Sequence, residues 1–285
     1  MSLPIKKIYV DTKYKARGSV SNSNFKVELP ISVTLPENSV FYIDDVSIPH
    51  SWYVIEAGVN DRMFIYTEEI GNTGNNLYNV VPIDAGNYHG TELAAHINGK
   101  INTVVNLPNF ADIYTVTYEP KTNTILFDNQ YAGVQFKVLT PDDLKTATIH
   151  NAYSNSYDIN NPQDMNEILG NVEGASPFYQ FPGNYTSKAV NLQTIRNIYI
   201  HSSLGNFNTI GPRGESSIVK KVPVSANKGD MIFDQVLAGN DFGDCSKQTL
   251  RTIIFELKDS RGNYINFHGS DLSFSIIFSK MDASM

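Results

Sequence analysis

The chain has 285 residues, a formal net charge of −7 and a low charged fraction of 18%. Its hydrophobic fraction of 41% is sufficient for a sizeable core, which argues against a disordered chain. The acidic balance argues against a general nucleic-acid-binding protein, because such proteins need a surplus of Lys and Arg to displace counterions from phosphates.

The N-terminal segment, residues 1–19, is basic and so differs from the acidic balance of the whole chain. Its cationic residues are Lys6, Lys7, Lys13, Lys15 and Arg17. We predict an arm outside the folded domain, either a solvated flexible end or a contact with nucleic acid or an acidic neighbouring subunit. Because Ile8 and Val10 alternate with polar residues, part of the arm could add as a strand to a neighbour's sheet edge. The segment has no signal-peptide core, and no apolar run in the chain has the length of a membrane span.

The sequence VFYIDDVSIPHSWYVI, residues 40–55, places two aspartates close to a histidine, a serine and the only tryptophan. On a regular strand, Asp44 and Asp45 point to opposite faces, so they cannot act as a carboxylate pair. Pro49 has no amide hydrogen and marks the end of the strand. We therefore predict a structural corner at Pro49 and Trp52 rather than a catalytic site.

Alternating apolar residues predict strands over much of the remaining chain. The clearest short segments are residues 24–29, 62–68, 112–119, 123–128, 133–139 and 196–202. Gly, Pro and Asn clusters separate them, and regular helix–strand alternation is missing. These features predict an all-β antiparallel sandwich or barrel over residues 20–285.

A central region, about residues 84–186, departs from the strand pattern and is predicted to be an insertion containing short helices. Behind a Thr91 N-cap, apolar residues recur at helical spacing: Leu93, Ile97 and Ile101. The sequence NPQDMNEILGNV predicts a second short helix, with Pro162 near its start and Gly170 at its end.

His89, Glu92 and His96 form the best candidate metal set of the sequence, because their spacing could bring them to one helical face. However, His89 precedes the predicted N-cap, and the His-Glu-x-x-His pattern is missing. We therefore predict no metal site and favour surface histidines on an amphipathic helix.

The C-terminal sequence DLSFSIIFSK predicts a half-buried strand whose inward residues are Leu272, Phe274, Ile276 and Phe278. In the preceding TLRTIIFELKD, the predicted inward residues are Ile253, Phe255 and Leu257. The intervening SRGN, residues 260–263, predicts a turn that joins the two strands in a hairpin-type connection.

No motif specifies an enzyme. The phosphate loop, the Gly-x-Ser-x-Gly elbow and the Cys-x-x-Cys pair are all missing from the sequence. A lone Cys245 excludes an intrachain disulfide and suits a reducing compartment. We therefore predict no enzymatic activity, no catalytic residues and no cofactor.

Five stretches occur in this order along the chain: IYVDTKYKARGSVSNSNFKVELP, SVFYIDDVSIPHSWYVI, DAGNYHGTELAAHIN, IYIHSSLG and FELKDSRGNYINFHGSDLSFSIIFSK. Together they resemble the penton, or minor capsid, proteins of virophages and polinton-like viruses. The resemblance implies a single jelly roll, a two-sheet antiparallel β-sandwich with a mid-chain insertion. It also implies a homopentamer at the vertices of an icosahedral virion, surrounded by a double-jelly-roll major capsid protein and assembled in the host cytoplasm.

Under this resemblance, the arm is expected to contact DNA, the capsid interior or the major capsid protein, and the insertion to face a host receptor or glycan. Two alternatives stay open. A carbohydrate-binding jelly roll or receptor-binding protein could use an aromatic groove formed by Tyr179, Phe181 and Tyr185. A glycoside-active sandwich would need two carboxylates that converge across a cleft.

Overall fold

The computed structural model describes residues 5–72, 76–108, 110–146, 163–171, 174, 177–180, 183–204, 209–235 and 242–280. The chain divides into two compact units. Unit 1 comprises Met1–Trp52 together with Ile195–Met285, and unit 2 comprises Tyr53–Thr194.

The described residues as far as Thr186 form ten strands and three α-helices. In chain order, these elements are β1 (Lys6–Asp11), β2 (Asn24–Thr34), β3 (Ser39–Pro49), β4 (Arg62–Glu69), β5 (Asn76–Pro82), α1 (Gly90–Val104), β6 (Tyr114–Glu119), β7 (Thr124–Asn129), β8 (Val134–Val138), α2 (Pro141–Leu144), α3 (Asn166–Leu169), β9 (Tyr179–Gln180) and β10 (Asn184–Thr186). The elements in the rest of the described chain are strands: β11 (Asn197–Ser202), β12 (Ile218–Pro223), β13 (Met231–Gln235), β14 (Gly243–Asp244), β15 (Thr249–Lys258) and β16 (Ser273–Lys280).

Unit 1 is a jelly roll. Its first sheet has the strand order β1-β16-β3-β13, with the short β14 also paired to β3. Its second sheet has the order β12-β11-β15-β2, and all neighbouring strands are antiparallel. When the eight long strands of unit 1 are lettered B to I in chain order, the sheets read B-I-D-G and F-E-H-C, which is the order of a jelly roll. The predicted fold class is confirmed.

The core of unit 1 follows from alternation along these strands. Leu272, Phe274, Ile276 and Phe278 are all buried, as predicted, and so are Ile253, Phe255 and Leu257. Rings from both sheets meet at the centre, where Phe255 lies 5.0 Å from Phe274 and 5.6 Å from Phe25. Burial of such side chains supplies the main driving force for folding the unit.

The predicted hairpin between the last two strands is wrong. The turn at residues 260–263 is present, and the carboxylate of Asp259 accepts hydrogen bonds from the backbone amides of Arg261 and Asn263 at 2.8 and 2.9 Å. However, β15 pairs with β11 and β2, whereas β16 pairs with β1 and β3. Local alternation defines two strands and a turn, but it does not specify which sheet each strand joins.

Unit 2 has two antiparallel sheets, with orders β5-β4-β8-β9 and β10-β7-β6, and the helix α1. The predicted helical positions Leu93, Ile97 and Ile101 are all buried in the core of this unit. The N-cap is His89 rather than Thr91, and its backbone amide donates to Glu92 Oε2 at 2.9 Å. As predicted, α3 ends at Gly170, whose φ of 71° suits a glycine; Pro162 lies outside the described residues.

The boundaries of the insertion differ from the prediction. The predicted range of about 84–186 falls within unit 2, but this unit already begins at Tyr53 and continues to Thr194. The reason is that β4, predicted as a strand of the main domain, pairs with β5 and β8 and contributes Met63 and Ile65 to the core of unit 2. Unit 2 is therefore inserted between β3 and β11, the D and E strands of the jelly roll.

Candidate functional site

Asp44 and Asp45 lie at a β-bulge in β3. Val46 is opposite Phe274 and Ile43 is opposite Ile276, so both aspartates face Ser275. The extra residue keeps Ile43 and Val46 buried on the same side and turns both carboxylates away from the core. The prediction that the two aspartates point to opposite faces is therefore wrong, because it assumed uninterrupted alternation.

Each of these carboxylates has its own partner. Asp44 Oδ2 lies 3.1 Å from Lys7 Nζ, and this hydrogen bond raises the pKa of Lys7 above its usual value. Asp45 accepts a hydrogen bond from the hydroxyl of Ser275. His50 Nδ1 lies 2.9 Å from the carbonyl of Ala226. The Asp, His and Ser residues that are close in sequence are therefore not assembled as a triad.

The corner after β3 is packed around Trp52, which is 3% exposed. The rings of His50 and Trp52 lie 4.2 Å apart, and Phe267 meets Trp52 edge-on at 6.1 Å. Ser51 Oγ donates to the carbonyl of Phe267 at 2.8 Å. Burial lowers the pKa of His50. Trp52 is also the last residue of unit 1 before the chain enters unit 2, so this corner lies where the chain leaves the jelly roll.

The structure of the N-terminal segment differs more from the sequence prediction than that of any other candidate site. Residues Lys6–Asp11 form β1, which pairs with β16 of the same chain and buries Ile8 and Val10. Among the predicted contact residues, Lys7 pairs with Asp44, and Lys15 Nζ donates to Asn22 Oδ1 at 2.8 Å. The remaining cationic side chains are exposed: Lys6, Lys13 and Arg17. Part of the segment is thus a strand of the jelly roll, and it pairs with its own sheet rather than with a neighbour's.

Two residues of the predicted metal set, Glu92 and His96, accept hydrogen bonds from backbone amides. Glu92 caps the helix through the His89 backbone. His96 Nε2 accepts a hydrogen bond from the backbone amide of Asp84 at 3.2 Å, and its ring lies 5.3 Å from that of Tyr88. Within the described part of the chain, no group of three His, Cys, Asp or Glu side chains is arranged to hold a metal ion.

One cluster of polar side chains, around His201 and Glu256, was not predicted from the sequence. His201 and Glu256 are cross-strand neighbours on β11 and β15, and His201 Nδ1 lies 2.9 Å from Ser217 Oγ. Both Glu256 oxygens are held by other groups, Lys258 Nζ and the hydroxyl of Tyr264, each at 2.6 Å. His201 is buried, which lowers its pKa. We call these residues the His201 network. No sequence signal could reveal it, because the register of β11 against β15 brings His201 beside Glu256 from a distant part of the chain.

Two of the predicted sugar-binding aromatics, Tyr179 and Tyr185, pack against other rings of unit 2. Tyr185 is only 4% exposed and packs against Phe127 at 5.3 Å, while Tyr179 packs against Phe136 at 5.6 Å. Phe181 lies outside the described residues. Because Tyr185 belongs to the core of unit 2, the proposed groove is wrong for this residue.

Cys245 is completely buried, and burial raises the pKa of its thiol to about 12. The reactive thiolate is therefore strongly disfavoured near neutral pH.

No helix of the described residues combines the length and apolarity needed to cross a bilayer.

The strand order and the unit inserted between the D and E strands define the class of fold: a single jelly roll with a large insertion. A crystal structure of the mavirus penton protein matches this chain with a TM-score of 0.51 and 9% identity, covering 97% of this chain and 100% of that chain. A chain in the cryo-EM structure of the Sputnik virophage matches with a TM-score of 0.42 and 12% identity, covering 96% and 98%. The sequence matches no protein-family model and no curated protein sequence.

Proposed function

We propose that this chain is a structural capsid protein that forms the pentameric vertex of an icosahedral virion of a virophage or polinton-like virus. The observation that carries the proposal is the fold shared with the mavirus penton protein over nearly the full length of both chains.

A vertex protein assembles through a heterologous interface, in which one surface of each copy meets a different surface of the next. The low charged fraction of 18% suits this role, because fewer charged groups must be desolvated when surfaces dock. The proposed partners are four further copies of the chain and a double-jelly-roll major capsid protein, in particles assembled in the host cytoplasm. Unit 2 is proposed to meet a host receptor or glycan.

The exposed cations of the N-terminal segment are proposed to contact an acidic partner within the particle, either protein or DNA. Lys6, Lys13 and Arg17 are the side chains available for this contact. Because β1 belongs to the jelly roll, deletion of residues 1–18 would damage the fold and could not test the contact. Replacement of these three residues by Gln tests it, with normal occupancy at vertices as the result that would contradict it.

Light scattering on the purified chain, together with co-expression with the major capsid protein of the same virus, tests the vertex role. We expect a mass of five chains, or incorporation at fivefold positions when the partner is present. A monomer that is left out of closed particles would overturn the proposal. The carbohydrate-binding alternative is not favoured, since Tyr185 of its proposed groove is a core residue.

A further inference from the structure

The loop between β1 and β2, residues 12–23, has a fixed conformation but exposes apolar side chains. Lys15 Nζ donates to Asn22 Oδ1 at 2.8 Å, and Asn22 Nδ2 donates to the carbonyl of Ser270 at 2.8 Å. Tyr14 and Val20 are nevertheless each 80% exposed. A loop that is already ordered loses little entropy when it binds, which favours its use as a contact surface.

The β1–β2 loop is also strongly basic. Lys13 and Arg17 are exposed, and the sequence from Thr12 to Ser23 contains no acidic residue. Its exposed surface therefore combines cations with an aromatic ring at Tyr14. Arg and Tyr are among the residue types most enriched in the energetically dominant part of protein interfaces.

A groove whose polar lining is acidic lies on the outer face of the first sheet. It has a volume of about 330 Å³. Tyr9 on β1 and Phe233 on β13 line it, and they are 77% and 70% exposed. Because β16 and β3 lie between these two strands, the strands that carry the two rings are about 14 Å apart. We call this feature the Tyr9–Phe233 groove.

The polar lining of the Tyr9–Phe233 groove is acidic. Asp11 and Asp45 contribute carboxylates, and Ser47 and Gln235 add further hydrogen-bonding groups. The bulge in β3 is what brings Asp45 to this outer face. A guanidinium that enters the groove would meet carboxylates for charge-assisted hydrogen bonds and aromatic rings for cation–π contact.

The positions of the loop and the groove suit a closed ring. The loop joins two strand ends and so lies at an end of the sandwich, whereas the groove lies on a sheet face. Contacts between an end and a face join two different surfaces, so they form a heterologous interface, the type that generates rings when the rotation closes.

We infer that the β1–β2 loop of one copy docks in the Tyr9–Phe233 groove of the next copy around the vertex, with Arg17 and Tyr14 entering between the two aromatic walls. This inference rests on the proposed pentameric vertex and assigns its interface. It also gives the basic N-terminal segment a second copy of this chain, rather than DNA, as its acidic partner.

Disulfide trapping tests the inference in the full-length protein. Tyr14→Cys combined with Phe233→Cys is expected to give, on oxidation of assembled material, a ladder of covalent oligomers that ends at five chains. Each single variant serves as the control and should give no ladder beyond dimers. Cys245 is buried and does not compete. Assembled protein that yields no ladder from the double variant would overturn the inference.

Charge-reversal variants at Arg17 and Asp45 provide a second test of the inferred interface. Arg17→Glu and Asp45→Arg are each expected to raise the protein concentration needed for assembly by about tenfold or more, and the double variant should recover most of the loss. Lys121→Glu, an exposed reversal in unit 2, is the matched control and should have no effect. Thermal unfolding of each variant checks the fold.

The two proposals fail in distinguishable ways. If the wild-type chain forms pentamers or enters vertices but the loop and groove variants assemble normally, the inferred interface is wrong and the vertex role stands. If Arg17→Glu lowers only the DNA content of particles, the partner is nucleic acid and the inference is wrong. If the wild-type chain neither forms pentamers nor enters particles, the proposed function itself fails.

Discussion

Unit 1 and unit 2 are of similar size but are built from contacts of different range. In unit 1, the first strand pairs with the last, so that Lys6 lies opposite Phe278. In unit 2, the main pairs are between strands that are close in sequence, such as β4 with β5 and β6 with β7. Unit 1 therefore depends on both ends of the chain, whereas unit 2 closes within its own segment.

This difference explains how the jelly roll accommodates a large insertion. Loop-closure entropy rises only slowly with loop length, so a long excursion between β3 and β11 costs little more than a shorter one. The cost is smaller still when the inserted segment has its own core, as unit 2 has. The jelly roll, in contrast, cannot lose an end strand without exposing its core.

Removal of residues 1–11 is expected to have the largest effect and to act on unit 1 alone. The variant loses β1, uncovers the edge of β16 and removes Ile8 and Val10, each worth about 1.5–3 kcal/mol of burial. Hydrogen exchange should show loss of protection across unit 1 and retained protection in unit 2. The control is the intact chain with Lys6→Gln and Lys13→Gln. Equal protection of unit 1 in both proteins would show that β1 is dispensable.

Trp52→Ala is expected to destabilise unit 1 by about 3–5 kcal/mol, because it leaves a cavity between His50 and Phe267. Urea unfolding monitored by circular dichroism gives the change in free energy. Ile254→Ala, at a position 38% exposed on the same unit, is the matched control and should change stability by less than about 0.5 kcal/mol. A Trp52→Ala protein with unchanged stability would contradict the packed corner.

Asp234→Ala is expected to cost about 3 kcal/mol in unit 1. Lys220 projects into the sandwich with a side chain 3% exposed, and its Nζ lies 2.8 Å from Asp234 Oδ2. Removal of the carboxylate leaves a buried ammonium without its counterion. The double variant Lys220→Met with Asp234→Leu should recover most of the stability, since burial of both charges is itself costly. A double variant as unstable as Asp234→Ala would show that packing, not charge, is decisive.

Acidification is expected to have the smallest effect and again to act on unit 1. Burial lowers the pKa of His50 and His201 below the usual 6.5. The two imidazoles therefore bind a proton more tightly in the unfolded chain than in the folded one. Their contribution to stability is complete above pH 6.5 and is lost as the pH falls toward the lowered pKa values. His50→Gln should reduce the pH dependence of the unfolding midpoint. The single Trp, stacked on His50, reports its titration by fluorescence, and an emission midpoint at or above pH 6.5 would contradict this account.

Regular segments of this protein were predictable because a strand or a helix follows from local periodicity. The buried faces of β15 and β16 and the buried residues of α1 all follow from spacings of two or four in the sequence. Where the period breaks, the prediction fails. The bulge at Asp44 and Asp45 shifts the phase of β3 by one residue, and only the pairing with β16 reveals it.

The candidate site was less predictable than the fold. The basic N-terminal segment was recognised from charge, but its alternating Ile8 and Val10 indicate a strand equally well for a neighbour's sheet and for the chain's own. Only the position of β16 decides between them. The Tyr9–Phe233 groove and the His201 network could not be predicted, because their residues are far apart in sequence and become neighbours through sheet pairing.

The sequence by itself determined the all-β class, the faces of its regular strands, the helix α1 within the insertion and the basic charge of the N-terminal segment, since these depend on residue type and local spacing. Tertiary structure alone decided that β15 and β16 belong to different sheets, that unit 2 begins at Tyr53, and that the N-terminal segment is a jelly-roll strand. These outcomes depend on hydrogen bonds and core contacts between distant parts of the chain. Local spacing carries no information about which distant strand provides the partner.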